Sequence, residues 1–137
     1  MIRNALTIDV EDYFQVSAFD PYISRNAWDS IPCRVEQNID RILSLLENRG
    51  INATFFTLGW IAKRYPSMVR RIVENGHELA SHGCDHDRVT DLEPSEFYKD
   101  IADSKKILED ISGSPVIGYL APSFSINKQN YWALNLL

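Results

Sequence analysis

Two of the three histidines stand four positions apart, in His82-Gly83-Cys84-Asp85-His86. A neutral imidazole nitrogen is the commonest protein ligand for zinc and similar divalent metals. A four-residue spacing can bring both rings to one side of a single turn, with Gly83 relaxing the backbone between them. Taken alone, the same spacing suits a solvated or capping pair. The acidic run Asp9-Val10-Glu11-Asp12 supplies what the histidines lack. On extended backbone Asp9 and Glu11 share one side while Val10 and Asp12 point away. One carboxylate of such a pair can bind a metal while the other accepts a proton from water. Two imidazoles, one carboxylate and an open position for water form the donor set of a hydrolytic metal site. Asp12 reads equally well as a strand-end charge or a helix N-cap.

Other chemistries find less support. There is no GxGxxG or GxxxxGK[ST] to cradle nucleotide phosphates. Ser123 has no GxSxG elbow, which argues against an acyl-enzyme serine. Cys33 and Cys84 form no CxxC pair, and Cys84 reads as a small buried spacer between the histidines. His77 falls at a strand start, on the rim away from the other two, and reads as structural. Trp28 and Trp60 read as core or rim packing, and Phe124 as a groove wall.

The elements that must position these residues alternate between short apolar runs and amphipathic helices. Strands are expected at residues 5–8, 51–57, 77–81 and 116–120. A helix over 34–49 carries Val35, Ile39, Ile42 and Leu46, with Gly50 at its C-terminal stop. A second opens near Pro66 with Met68, Val69, Ile72 and Val73 on its inner face and stops at Asn75-Gly76. A third starts around Glu93-Pro94-Ser95, shows the stripe Phe97, Ile101, Ser104, Leu108 and Ile111, and ends at Gly113. The 13–32 connection has no clear period, and connections of that length are more often functional than idle. A final apolar segment covers 131–137. This β-α-β-α-β-α-β order implies parallel strands in an open doubly wound sheet or part of an α/β barrel. Both architectures gather chemistry at the C-terminal ends of strands. The acids follow the first strand, His82 and His86 the third, and Pro122-Ser123 the fourth.

Composition narrows the class further. The chain has 137 residues, 45% hydrophobic, with 14 basic and 19 acidic side chains and a net charge of −5. That supports a packed core and excludes a disordered chain, while the acidic balance lacks the footprint of a nucleic-acid binder. Two cysteines suit a reducing compartment. No apolar run reaches signal-peptide length or the ~18 residues of a membrane span, so the expectation is a soluble, cytoplasmic domain.

Four segments carry a family resemblance. Thr7 to Asp12, Ala53-Thr54-Phe55-Phe56, Gly76 to His86, and Gly118-Tyr119-Leu120-Ala121-Pro122-Ser123 resemble, in order and spacing, the NodB-homology polysaccharide deacetylases, carbohydrate esterase family 4. The stretch from Asp9 to Phe14 resembles the subgroup associated with exopolysaccharide and exosortase gene clusters. The resemblance implies a distorted (β/α) barrel and a metal-dependent hydrolase that removes acetyl groups from N-acetylated amino-sugar polysaccharides or oligosaccharides. It implies Asp9 as general base and Glu11, His82 and His86 as ligands of a divalent metal, zinc first, with Asp12 the alternative acid. It also implies Pro122 and Ser123 at the substrate, with the Ser123 N–H facing the oxyanion. Two departures stand out: Val10 replaces the usual second acid, and Leu120 stands where an arginine orients the catalytic aspartate.

A full α/β barrel takes roughly 250 residues. Residues 1–137 are therefore expected to be the N-terminal part of the domain. The later motifs, including a histidine that protonates the leaving amine, fall outside them. A half barrel would expose a strand edge open to self-association. The alternative from another class is a non-catalytic carbohydrate-binding or assembly protein that keeps the metal site. A flavodoxin-like signalling domain would explain the acids but gives the paired histidines no role.

Overall fold

The computed structural model describes residues 4–137. Its frame is a parallel three-stranded sheet, in order β1 (Thr7–Val10), β2 (Thr54–Thr57) and β3 (Glu78–Ser81). The register pairs Asp9 with Phe56 and Phe56 with Ala80, so the three strands end level with one another. Helix α1 (Val35–Glu47) links β1 to β2, and α2 (Gly59–Arg64) with α3 (Pro66–Glu74) links β2 to β3. Helix α4 (Pro94–Ser112) packs against α2, α3 and β3.

Each helix buries the stripe its sequence presents. Val35, Ile39, Leu43 and Leu46 of α1 and Met68, Val69 and Ile72 of α3 meet Phe55, Leu58, Ile61 and Leu79 in one core. Helix α4 opens with a capping box, the Glu96 carboxylate accepting the Glu93 N–H at 2.8 Å, and stops at Gly113 with φ 69°. No helix among the described residues is long and apolar enough to cross a membrane.

Three features differ from the sequence expectation. The first strand runs on through Asp9 and Val10, because the ladder to Phe56 and Thr57 uses only backbone groups and Val10 is fully buried. Helix α2 was not anticipated. It has only six residues and opens on a glycine, which reads as a break. The fourth strand shrinks to a single bridge between Ser81 and Tyr119. Its start is diverted to α4: the Val116 N–H donates to Glu109 Oε1 at 2.9 Å, and Lys105 Nζ donates to the Val116 carbonyl at 2.9 Å. Those groups would otherwise extend the ladder.

The 13–32 connection is three 3-10 turns, Tyr13–Gln15, Ser17–Phe19 and Arg25–Ser30. It is anchored by Phe14 and Trp28, both buried. The Trp28 ring meets Trp60 edge-on at 5.6 Å, which makes both tryptophans packing residues as expected. The final apolar segment forms a 3-10 turn, Tyr131–Asn135, whose Trp132 packs on Phe97.

Candidate metal centre

The level strand ends bring the chemistry-bearing residues to one rim. His82 continues β3 by one residue, its N–H donating to the Thr57 carbonyl at 3.1 Å. Its Nδ1–H donates to the Leu120 carbonyl at 2.8 Å, which leaves Nε2 as the lone-pair nitrogen. Burial pushes the His82 pKa below its ordinary value, so the ring is held neutral, the form a metal requires. The chain then turns sharply. Gly83 has φ 79°, and a Cβ there would meet Asp100 Oδ2 at 2.8 Å, so any other residue would be strained and would displace Asp100. The turn is tied down at Cys84, whose N–H donates to Asp100 Oδ1 at 2.9 Å. It returns His86 to the same rim at φ 61°.

Helix α2, missed from the sequence, braces this turn. Its first N–H groups, on Gly59 and Trp60, donate to the Gly83 and Cys84 carbonyls, both at 2.9 Å. A helix N-terminus has spare donors, and here the histidine loop uses them. Cys84 behaves as a spacer: burial pushes its thiol up to about 12, far from a reactive thiolate.

Glu11 faces both rings. Its Oε2 lies 3.0 Å from His86 Nε2 and 3.9 Å from His82 Nε2. One ligand atom from each of Glu11, His82 and His86 falls within 4.8 Å of the other two. Glu11 Oε2 is buried without a hydrogen-bond partner, as is His86 Nδ1. A buried carboxylate oxygen aimed between two imidazoles, with no proton donor of its own, fits a divalent cation.

The other expected residues divide sharply. Asp9 sits in β1 with its carboxylate exposed. It borders a cavity of about 150 Å³ together with Glu11, His82, His86, Ser123 and Phe124. Pro122 is buried and begins the turn that presents Ser123 and Phe124, at φ 53° and 52°. The Ser17 and Ser123 hydroxyls share a 2.8 Å hydrogen bond. Phe124 is 84% exposed and forms an open wall, as expected.

Asp12, the alternative acid, is turned away. Its Oδ2 accepts the Arg34 and Val35 N–H groups at 2.5 and 2.9 Å, and Oδ1 accepts that of Tyr13 at 3.0 Å. It therefore caps the start of α1 from 22 residues away. His77 is likewise apart, its Nδ1 accepting the Ala53 N–H at 3.3 Å near the start of β2. Among the described residues three non-glycine residues have positive φ, His86, Ser123 and Phe124, and all three border the cavity. Backbone strain of this kind tends to cluster at active sites and ligand clamps.

Residues 26–137 match the family described as polysaccharide deacetylase. The chain belongs to this family. The peptidoglycan-N-acetylglucosamine deacetylase PgdA of Listeria monocytogenes is 33% identical over 88 residues, 64% of this chain and 19% of that protein. The structure of peptidoglycan deacetylase PdaC from Bacillus subtilis superposes with a TM-score of 0.69 at 27% identity, over 91% of this chain and 51% of that one. A CE4 family pseudoenzyme from Bacillus anthracis shares the fold, with a TM-score of 0.72 at 19% identity over 96% and 39% of the two chains. The deacetylase-family chain thus spans about half or less of the proteins it matches. Its mixed α/β, parallel-stranded fold is that part of a CE4 barrel domain.

Proposed function

We propose that this chain carries the metal-binding and general-base side of a deacetylase acting on N-acetylated amino-sugar polysaccharides. The observation that carries the reading is the buried, unpartnered Glu11 Oε2 between His82 and His86, beside Asp9, in a chain of this family. Glu11, His82 and His86 would hold a divalent cation, zinc first. When bound, such an ion polarises an acetamide carbonyl and lowers the pKa of water.

The chain's own groups supply the rest. His82 keeps its Nε2 lone pair on the site because Nδ1–H is committed to Leu120. Asp9, at the cavity edge and outside the ligand cluster, takes the proton from the attacking water. The Ser123 N–H, in the Pro122–Phe124 turn at the cavity edge, would face the oxyanion that forms on the acetamide. The open wall at Phe124 leaves room for a polymer rather than a small enclosed ligand. Attack on the acetamide carbon, protonation of the leaving nitrogen by the later-motif histidine that the family resemblance implies outside residues 1–137, and C–N cleavage would yield acetate and the free amine.

A second reading, a carbohydrate-binding protein that keeps its metal, is favoured by one observation. Leu120 has no side-chain donor, and among the described residues no hydrogen bond fixes the Asp9 carboxylate. One experiment separates the two readings: zinc content and acetate release from N-acetylglucosamine polymers, measured for the chain joined to the C-terminal half of a deacetylase domain and for its Asp9→Asn, Leu120→Arg and His82→Ala variants. A deacetylase binds zinc and releases acetate, Asp9→Asn lowers release by at least about a hundredfold, and His82→Ala loses the metal. Zinc binding without release, even in Leu120→Arg, identifies the binding protein. A chain that takes up no divalent ion overturns the site.

A further inference from the structure

The proposed chemistry leaves the 13–32 connection without a role, yet one of its side chains reaches the site. Arg25, at the start of the 3-10 helix Arg25–Ser30, crosses to the loop after β3 and meets it on both sides of His86. Its Nη2 donates to the Asp85 carbonyl at 2.5 Å and to Asp87 Oδ1 at 3.0 Å, while Nη1 donates to Asp87 Oδ2 at 3.2 Å. Nη1 also lies 3.9 Å from the Asp85 carboxylate. The guanidinium sits over the buried Trp28 ring, 5.0 Å from its centroid. A single planar fork therefore grips the residues immediately before and after one imidazole.

His86 lacks any other restraint of this kind. Its backbone is left-handed at φ 61°, and its Nδ1 is buried without a hydrogen-bond partner. A metal-ligating histidine ordinarily has its second nitrogen fixed by a carbonyl or carboxylate, as Leu120 fixes His82. At His86 the ring direction rests on the backbone, which α2 and Asp100 hold upstream and Arg25 holds on both sides of His86. We infer that Arg25 is a positioning residue for the metal site: it aims His86 Nε2 at Glu11 and so sets metal affinity without touching the ion. The inference rests on Glu11, His82 and His86 being the ligands.

Arg64 provides a matched control. It holds the same 3-10 helix, through Asp29 Oδ1 and the Asp29 carbonyl, both at 3.2 Å, and lies over Trp60 at 5.1 Å. Among the described residues it makes no bond to the 85–87 loop. The experiment is a zinc titration of the metal-free chain against a chromophoric chelator, with a thermal melt of each variant.

Arg25→Ala is expected to weaken zinc binding by about tenfold or more. Arg25→Lys stays weakened, because one ammonium cannot hold the Asp85 carbonyl and both Asp87 oxygens. It also carries the test if the alanine variant fails to fold. Arg64→Ala loses thermal stability but keeps the parent affinity. Affinity of Arg25→Ala and Arg25→Lys within about twofold of the parent, or an equal loss in Arg64→Ala, overturns the inference and leaves the ligand assignment standing. A parent chain that takes up no zinc overturns both.

Discussion

His82 and His86 face the same carboxylate, but the protein holds them by opposite means. His82 is an extension of the sheet, with its N–H on the Thr57 carbonyl, its Nδ1–H on the Leu120 carbonyl and its ring 2% exposed. His86 leaves the sheet, turns through Gly83 and Cys84, and arrives in a left-handed conformation with no partner for its second nitrogen. A parallel sheet aims one residue per strand end accurately, because the ladder fixes the backbone there. A second ligand from the same strand must come from a turn. Turns need a glycine and external braces, here the α2 N–H groups, Asp100 and Arg25. The sheet-held histidine is built from the inside and the turn-held one from the outside.

The sharpest way to break this contrast is to remove each ring in turn. His82→Ala is expected to lose zinc and to cost about 3 kcal/mol in urea unfolding, because it opens a buried site and strands the Leu120 carbonyl. His86→Gly loses zinc equally but leaves stability nearly unchanged, since glycine accepts the left-handed backbone. Equal stability losses in the two variants would erase the distinction.

The acids extend it. Asp12→Ala should cost about 2 kcal/mol by exposing buried N–H groups at the start of α1, while zinc affinity holds. Gly83→Ala strikes the hinge between the rings, and strain with the Asp100 clash lowers stability by roughly 1–2 kcal/mol. Its urea midpoint checks this.

The smallest effect belongs to the histidine outside the site. Burial lowers the His77 pKa, so the folded chain binds this proton less readily than the unfolded one. Stability is full above about pH 6.5 and declines as pH falls toward the lowered value. His77→Gln keeps an acceptor for the Ala53 N–H and should flatten that part of the stability curve relative to the parent. An unchanged slope would remove His77 as its source.

Much of this organisation was legible in the sequence. Helical stripes placed α1, α3 and α4, and the two-residue period put Asp9 and Glu11 on one side with Val10 pointing away. That period also turned Asp12 away from the site, but not toward its partners. A cap that reaches from Asp12 to Arg34 leaves no local signature. Arg25 escaped for the same reason, its partners lying about 60 residues along the chain. Helix α2 was invisible because six residues opening on Gly59 carry too little periodicity. The 116–120 run has strand composition, but composition does not reveal that Lys105 and Glu109 claim Val116. Patterns within a helical turn or along a strand can be read from sequence, whereas braces between distant segments exist only after folding.

The bond that orients His82 comes from the main-chain oxygen of Leu120, not from its side chain. Every amino acid offers that oxygen, so replacing residue 120 leaves the imidazole where it is. The family resemblance assigns the side chain at this position a separate task, steadying the catalytic aspartate. Under the proposed function, ion retention and turnover would therefore depend on different atoms of one residue. A chain of this kind can fall silent as a catalyst while still sequestering its ion, and zinc found in a purified sample is no assay of reaction.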